Sequence, residues 1–196
     1  MTAWTDFAPG ANFKLNIGIT LNTGLPIPSQ VVSRKLHAGV PYDINLPLGS
    51  GGTPAVECRS GGANGDFQLV YTFPEAVTFS NAAVSSGPGS VSNSSGSGSD
   101  TVTVDLTGVT NAQRVTVTLS SVNNGTSTAD FAVQMGVLLG DATGNGSVNG
   151  SDVGQVKSQS GQTLSSLNFR SDVNVSGAIN GTDVGQTKLQ TGTNLP

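Results

Sequence analysis

A twelve-residue polar pattern occurs twice near the end of this chain, and it constrains the fold more than any other feature. Residues 141–152 read DATGNGSVNGSD and residues 172–183 read DVNVSGAINGTD, an offset of 172 − 141 = 31 residues. Both put an oxygen-bearing side chain at positions 1, 3, 5, 9 and 12, and glycine at position 6. Those glycines, Gly146 and Gly177, permit a sharp bend at positive φ that a side chain would oppose. Position 8 is apolar in both, Val148 and Ile179, as suits a residue turned inward. The following residues repeat too: VNGSDVGQVKSQSGQTL from Val148 matches INGTDVGQTKLQTGTNL from Ile179 at most positions. That predicts one short helix starting inside each loop, with Gly161 or Gly192 near its end.

Oxygens at this spacing are the ligand pattern of an EF-hand calcium loop. Calcium is a hard cation that takes about six to eight oxygens in a loose shell. In the first loop Asp141, Thr143 and Asn145 supply side-chain oxygens, Asn149 does so through water, Ser147 gives its carbonyl, and Asp152 closes the shell with both oxygens. In the second loop the same roles fall to Asp172, Asn174, Ser176, Asn180, the carbonyl of Ala178, and Asp183. Ordinary Asp/Asn/Gly turns are the competing reading. Two loops in register, each followed by a matching helix, weigh against it.

A full EF-hand has a helix on both sides of its loop, but here MGVLLG runs straight into Asp141. A pair of loop-then-helix units lacking the leading helix resembles the type I dockerin domain. The resemblance covers about the last 55 residues. It implies a small α-helical module, two bound calcium ions, and a cohesin domain as docking partner. The chain departs from the family pattern at Thr143, Asn145 and Ser176, which leaves two carboxylates per loop. Fewer charges imply a dissociation constant of about 10⁻⁵ to 10⁻³ M, a range suited to calcium-rich extracellular fluid. Positions 10 and 11, which carry partner recognition in dockerins, are Gly150 and Ser151 in one repeat and Gly181 and Thr182 in the other, and they specify no particular cohesin.

A module this small buries little apolar surface and needs a staple. Each calcium at about 100 times its dissociation constant adds about 2.7 kcal/mol. Two sites then supply about 5 kcal/mol, comparable to the stability of a whole small domain. The module is therefore expected to be disordered without calcium.

Upstream the composition changes character. Charged residues make up only 10% of the chain and glycine contributes 27 residues, the balance of a turn-rich, all-β extracellular protein. A net charge of −4 gives no electrostatic case for nucleic acid or an anionic membrane, and no apolar run is long enough to span a bilayer. Met1 is not followed by a signal peptide, so secretion would imply a mature form, a fragment or another export route. Cys58 is alone and reads as a small buried hydrophobe beside Val56, or else as one half of an intermolecular disulfide.

In Phe13, Leu15, Ile17, Ile19 and Leu21, apolar residues alternate as in a strand with one apolar face. The prolines of TGLPIPS then make a stiff link, so this strand can pack far from its sequence neighbour or leave its own subunit. From Gln30 to Leu138 strand follows strand: 31–37; 42–48, with Pro47 suggesting an edge; 55–59; 67–73; 77–79 after a PEA turn; 102–106; 115–119; and 131–137. Residues 85–100, SSGPGSVSNSSGSGSD, read as a long flexible loop, with glycan sequons at Asn93 and Asn124. The fold class expected is a mainly β chain: an antiparallel β-sandwich, Ig-like or X-module-like, followed by the dockerin-like module. The divisions are an N-terminal segment at 1–29, the sandwich at 30–138 and the calcium module at 139–196.

Catalytic constellations are missing. His37 is the single histidine, reads as a strand residue, and has no nucleophile elbow or oxyanion loop around it. One histidine and one cysteine exclude the usual zinc sets. Glu57, Asp66 and Glu75 read as isolated carboxylates on or beside strands, and Arg34, Lys35 and Arg59 as salt-bridge partners across an interface. Tyr42 and Tyr71 fit core alternation better than a sugar platform with Trp4, and the glycine runs at Gly49 and Ser60 read as turns. The expectation is a non-catalytic, calcium-stabilised extracellular or cell-surface structural protein that self-associates into a fibre or surface layer. The alternative is a docking module for a cohesin-like receptor, with the sandwich as spacer or carbohydrate-binding domain.

Overall fold

The computed structural model describes residues 24–48 and 55–196. The amphipathic strand expected at 13–21, Trp4 and the glycine run at Gly49 lie outside these residues. Among the described residues nine strands come first: β1 (Gln30–His37), β2 (Val40–Leu46), β3 (Val56–Glu57), β4 (Phe67–Val77), β5 (Asn81–Ser86), β6 (Ser90–Ser95), β7 (Ser99–Thr107), β8 (Gln113–Asn123) and β9 (Thr128–Val137). Helices α1 (Gly150–Gln159) and α2 (Gly181–Leu189) follow, with a 3₁₀ turn at Phe169–Ser171 between them. No described helix is long and apolar enough to cross a membrane.

The strands form two sheets. One is antiparallel in the order β2-β1-β4-β7-β6, and the other runs β3-β9-β8-β5, with β3 parallel to β9. Alternation along each strand sends Leu69, Tyr71 and Phe73 of β4, Val102, Val104 and Leu106 of β7, Val115, Val117 and Leu119 of β8, and Val133, Met135 and Val137 of β9 into one shared core. The chain is thus mainly β, with two sheets packed as a sandwich. Pro47 lies just beyond β2, which is an outer strand among the described residues.

Three expectations are corrected. Residues 85–100 are not a flexible loop: they carry the end of β5, all of β6 and the start of β7. Their serines are exposed on an outer strand that needs no apolar face, and glycines close the turns. At Gly96 φ is +92°, and a Cβ there would collide with the Thr101 carbonyl. The PEA segment makes no turn. β4 continues to Val77, with a register shift after Thr72 where Pro74 cannot donate to the ladder. Tyr71 is core, but Tyr42 is half-buried and stacks on Phe169 at 5.3 Å between centroids, at the seam between sheets and helices.

That seam is continuous. Leu138 packs with Val56 and Val148, and its amide donates to the Glu57 carbonyl at 3.0 Å. Ser60 N donates to Val173 O at 2.7 Å, and Gly140 N to Cys58 O at 2.9 Å. The Arg170 guanidinium gathers the carbonyls of Val56, Asp141 and Ala142.

Candidate cation-binding loops and the junction behind them

Both loops start with an aspartate and end in a helix cap. Asn149 and Asn180 are the N-caps of α1 and α2, accepting from Ser151 N and Thr182 N at 2.8 Å. Asp152 and Asp183, three residues on, return a carboxylate oxygen to the cap amides at 2.9 Å, which completes a capping box in each repeat. The same aspartates reach back to position 3, taking Thr143 N at 3.0 Å and Asn174 N at 3.2 Å. The expected helices are therefore present, and local chemistry explains where they begin. The position 6 glycines have φ of +86° at Gly146 and +88° at Gly177.

Each loop wraps its first aspartate in amides. Asp141 accepts from Gly144 N at 2.8 Å, Asn145 N at 3.1 Å and Gly146 N at 2.7 Å. Asp172 accepts from Ser176 N at 3.0 Å and Gly177 N at 2.7 Å. The Thr143 hydroxyl lies 2.8 Å from an Asp152 oxygen and 3.3 Å from one of Asp141, which brings the two carboxylates of the first loop to one small group. In the second loop the Ser176 hydroxyl contacts Asp172 at 3.3 Å and the Ala178 carbonyl at 3.1 Å. Asn145 and Asn174 turn their side-chain oxygens onto the amides of Ser147 and Ser176.

The four aspartates Asp141, Asp152, Asp172 and Asp183 are 0% exposed. Among the described residues, Asp141, Asp152 and Asp183 have no ion pair. Burial pushes Asp141 and Asp183 above the usual carboxylate range. Amide donors pull the other way, and the second carboxylate of each loop adds to the push. Two buried carboxylates held together without a cationic side chain are costly unless a cation joins them. The donor set is all oxygen, two carboxylates with Thr143 and Asn145 or Asn174 and Ser176, which fits a hard divalent ion. Among the described residues no group of three or more His, Cys, Asp or Glu side chains comes together that could hold a metal ion.

Behind the second loop lies a cluster that sequence reading missed. Glu57 and Arg59 are not spread over exposed strand edges or an intermolecular interface. Both are fully buried and pair with each other, Arg59 Nη2 to Glu57 Oε2 at 2.7 Å and Nε to Oε1 at 2.7 Å. Ser33 Oγ also donates to Glu57, at 2.5 Å. Burial raises the Glu57 carboxyl, but the Arg59 charge and the hydrogen bonds outweigh it and hold the group below its usual range. Arg34 instead pairs with Asp43 at 2.7 Å, and Lys35 lies over the Phe67 ring.

His37 does sit on β1, but it is no ordinary strand residue. Its Nδ1 lies 2.8 Å from Asp172 Oδ2, and its Nε2 lies 3.3 Å from Arg59 Nη1. Arginine can only donate, so Nε2 accepts and Nδ1 carries the proton given to Asp172. Burial lowers the imidazole pKa, opposed by the bond to Asp172 and reinforced by the Arg59 charge, so the ring is neutral at pH 7. Cys58 lies between the paired residues, with its thiol near the Arg170 carbonyl and burial pushing it up to about 11. That is the buried-hydrophobe reading of the cysteine. Sequence did hold one clue: Glu57 and Arg59 are opposite charges two residues apart in the segment 55–59 read as a strand, a spacing that would put both on one face, although β3 itself ends at Glu57.

No protein-family model, curated protein or solved structure matches this chain.

Proposed function

We propose that this chain is a non-catalytic, calcium-stabilised extracellular structural subunit that associates with copies of itself. The observation that carries the calcium reading is the repeated pair of buried, cation-poor carboxylates, Asp141 with Asp152 and Asp172 with Asp183. When bound, calcium supplies charge neutralisation and extra ligation, which stabilise the loops and the helices they cap. The chain's own residues do the rest. Asp141 and Asp172 are fixed by amides, Asp152 and Asp183 link each loop to its helix, and Thr143, Asn145, Asn174 and Ser176 complete the oxygen set, with the Ser147 and Ala178 carbonyls beside them. In this reading residues 139–196 are a dockerin-like module.

Self-association is supported by an open sheet edge. Among the described residues, β9 pairs with β8 along its length but with β3 only at Gly136 and Val137, so Thr128 to Met135 lack a partner on that side. The Gly24 carbonyl accepts from Asn124 Nδ2 at 2.9 Å and from Ser127 Oγ, at the turn where β9 begins. The described residues therefore begin beside this edge, and the alternating nine-residue stretch 13–21 precedes them in sequence. Added to β9 of a neighbouring copy, that stretch would build a head-to-tail assembly.

Light scattering after size exclusion tests this, in millimolar calcium and in chelator, with and without residues 1–24. Large calcium-dependent assemblies that vanish on deletion are expected. A calcium-loaded monomer of about 20 kDa would overturn self-association. The second reading, docking to a cohesin-like receptor, is favoured by Leu167 and Leu189, which are 95% and 83% exposed on the helical unit.

A further inference from the structure

The two loops match in sequence but not in the donors around their first aspartate. Asp141 takes three amides, from Gly144, Asn145 and Gly146. Asp172 takes only two, from Ser176 and Gly177. Beside the Ser176 hydroxyl, its third nitrogen donor is His37 Nδ1, from a strand 135 residues away in sequence. Val175 stands where Gly144 stands in the first loop, and its amide bonds the Asp172 main-chain carbonyl, not the carboxylate. His37 is held in turn. Arg59 donates to its Nε2, Glu57 fixes Arg59, and the ring meets Tyr42 and Phe169 edge-on at 5.1 and 6.3 Å. The second loop is seated on the same strand end, since a Cβ at Gly177 would collide with the Ala38 methyl just after β1.

We propose that His37 is a positioning residue that completes the donor set of Asp172 and makes the second loop's cation affinity depend on the β-sheets, while the first loop holds its cation without such help. This rests on the reading of both loops as calcium sites. Donors behind a metal-binding carboxylate orient it and tune its basicity, and losing one weakens binding by about tenfold to a hundredfold. The sheets reach the first loop through Val56, which clusters with Val148, and through Arg170, which links the Val56 carbonyl to those of Asp141 and Ala142; the hydrogen bonds of Arg170 all go to carbonyls, none to the two carboxylates. The two sites are thus inequivalent by construction.

Calorimetric titration of the whole chain with calcium alone tests the proposal, using the wild type, His37→Ala, His37→Asn and Asp172→Asn. The wild type should bind two ions. In His37→Ala one site should weaken at least tenfold and the other stay unchanged. His37→Asn, whose amide can replace the Nδ1–H donor, should recover most of the loss. In the Asp172→Asn background, which retains the first site, adding His37→Ala should change nothing further. Equal weakening of both sites, or no weakening, overturns the proposal. Should His37→Ala fail to fold, His37→Phe, which keeps a ring and removes the donor, replaces it: one site weakened at least tenfold supports the proposal, and both sites or neither weakened overturns it. A wild type that binds no calcium overturns instead the reading of the loops, a result distinguishable at the first titration.

Discussion

The sheets and the loop-helix unit of this chain are stabilised by opposite means. Among the described residues the sheets enclose one apolar cluster of 19 buried residues, whereas the cluster between α1 and α2 has four, Ala142, Val156, Val173 and Ile179. At about 25 cal/mol per Å² of apolar surface, the first suffices for a domain and the second does not. What the loop-helix unit buries instead is charge, in Asp141, Asp152, Asp172 and Asp183. An apolar core is self-sufficient, but buried carboxylates need a counter-charge. On the proposed reading, the same chain contains a region that folds on its own side chains and a region whose stability depends on calcium in solution.

The largest effect should come from removing calcium. Chelation, or the Asp141→Ala, Asp172→Ala double substitution, should cost the loop-helix unit about 5 kcal/mol and leave the sheets folded. Calorimetry in chelator should then show the sheets melting alone, with the loop-helix unit's share of the unfolding enthalpy lost. An unfolding enthalpy equal in calcium and in chelator would break the comparison.

Next is the buried pair at the seam. Glu57→Ala strands Arg59 in the interior and should cost about 3–5 kcal/mol in urea unfolding. Glu57 is held below the ordinary carboxylate range, so its contribution is fully present above that range and is lost as pH falls from there through its own depressed pKa. Glu57→Gln should accordingly flatten the acid limb of the stability profile.

Within the sheets, Leu119→Ala should cost about 2–5 kcal/mol while calcium affinity in the folded protein stays unchanged. The smallest effect is a gain. Val175 has φ of +63°, where its counterpart Gly144 has +76°. A β-branched residue there is strained, so Val175→Gly should stabilise calcium-loaded protein by about 1 kcal/mol, read as a higher Tm.

What was legible in the sequence follows the range of the determinants. The loops and the helix starts were readable because every determinant lies within twelve residues, from Asp141 to Asp152 and from Asp172 to Asp183. Strands such as β4, β7, β8 and β9 declared themselves through alternation, since one face is buried. β6 did not, because Ser90–Ser95 is an outer strand with no buried residue and so no periodic signal. The His37–Asp172 contact was invisible for a different reason: nothing local to SRKLHAG requires a carboxylate, and the partner arrives only with the tertiary fold.

The central claim is that a cation completes the loop-helix unit and not the sheets. Amide hydrogen exchange on the whole chain, in millimolar calcium and in chelator, addresses it directly, because the sheets serve as an internal reference. The account predicts that amides of α1 and α2 lose protection in chelator while those of β4, β7 and β8 keep theirs. Equal protection of α1 and α2 in both solutions would contradict it.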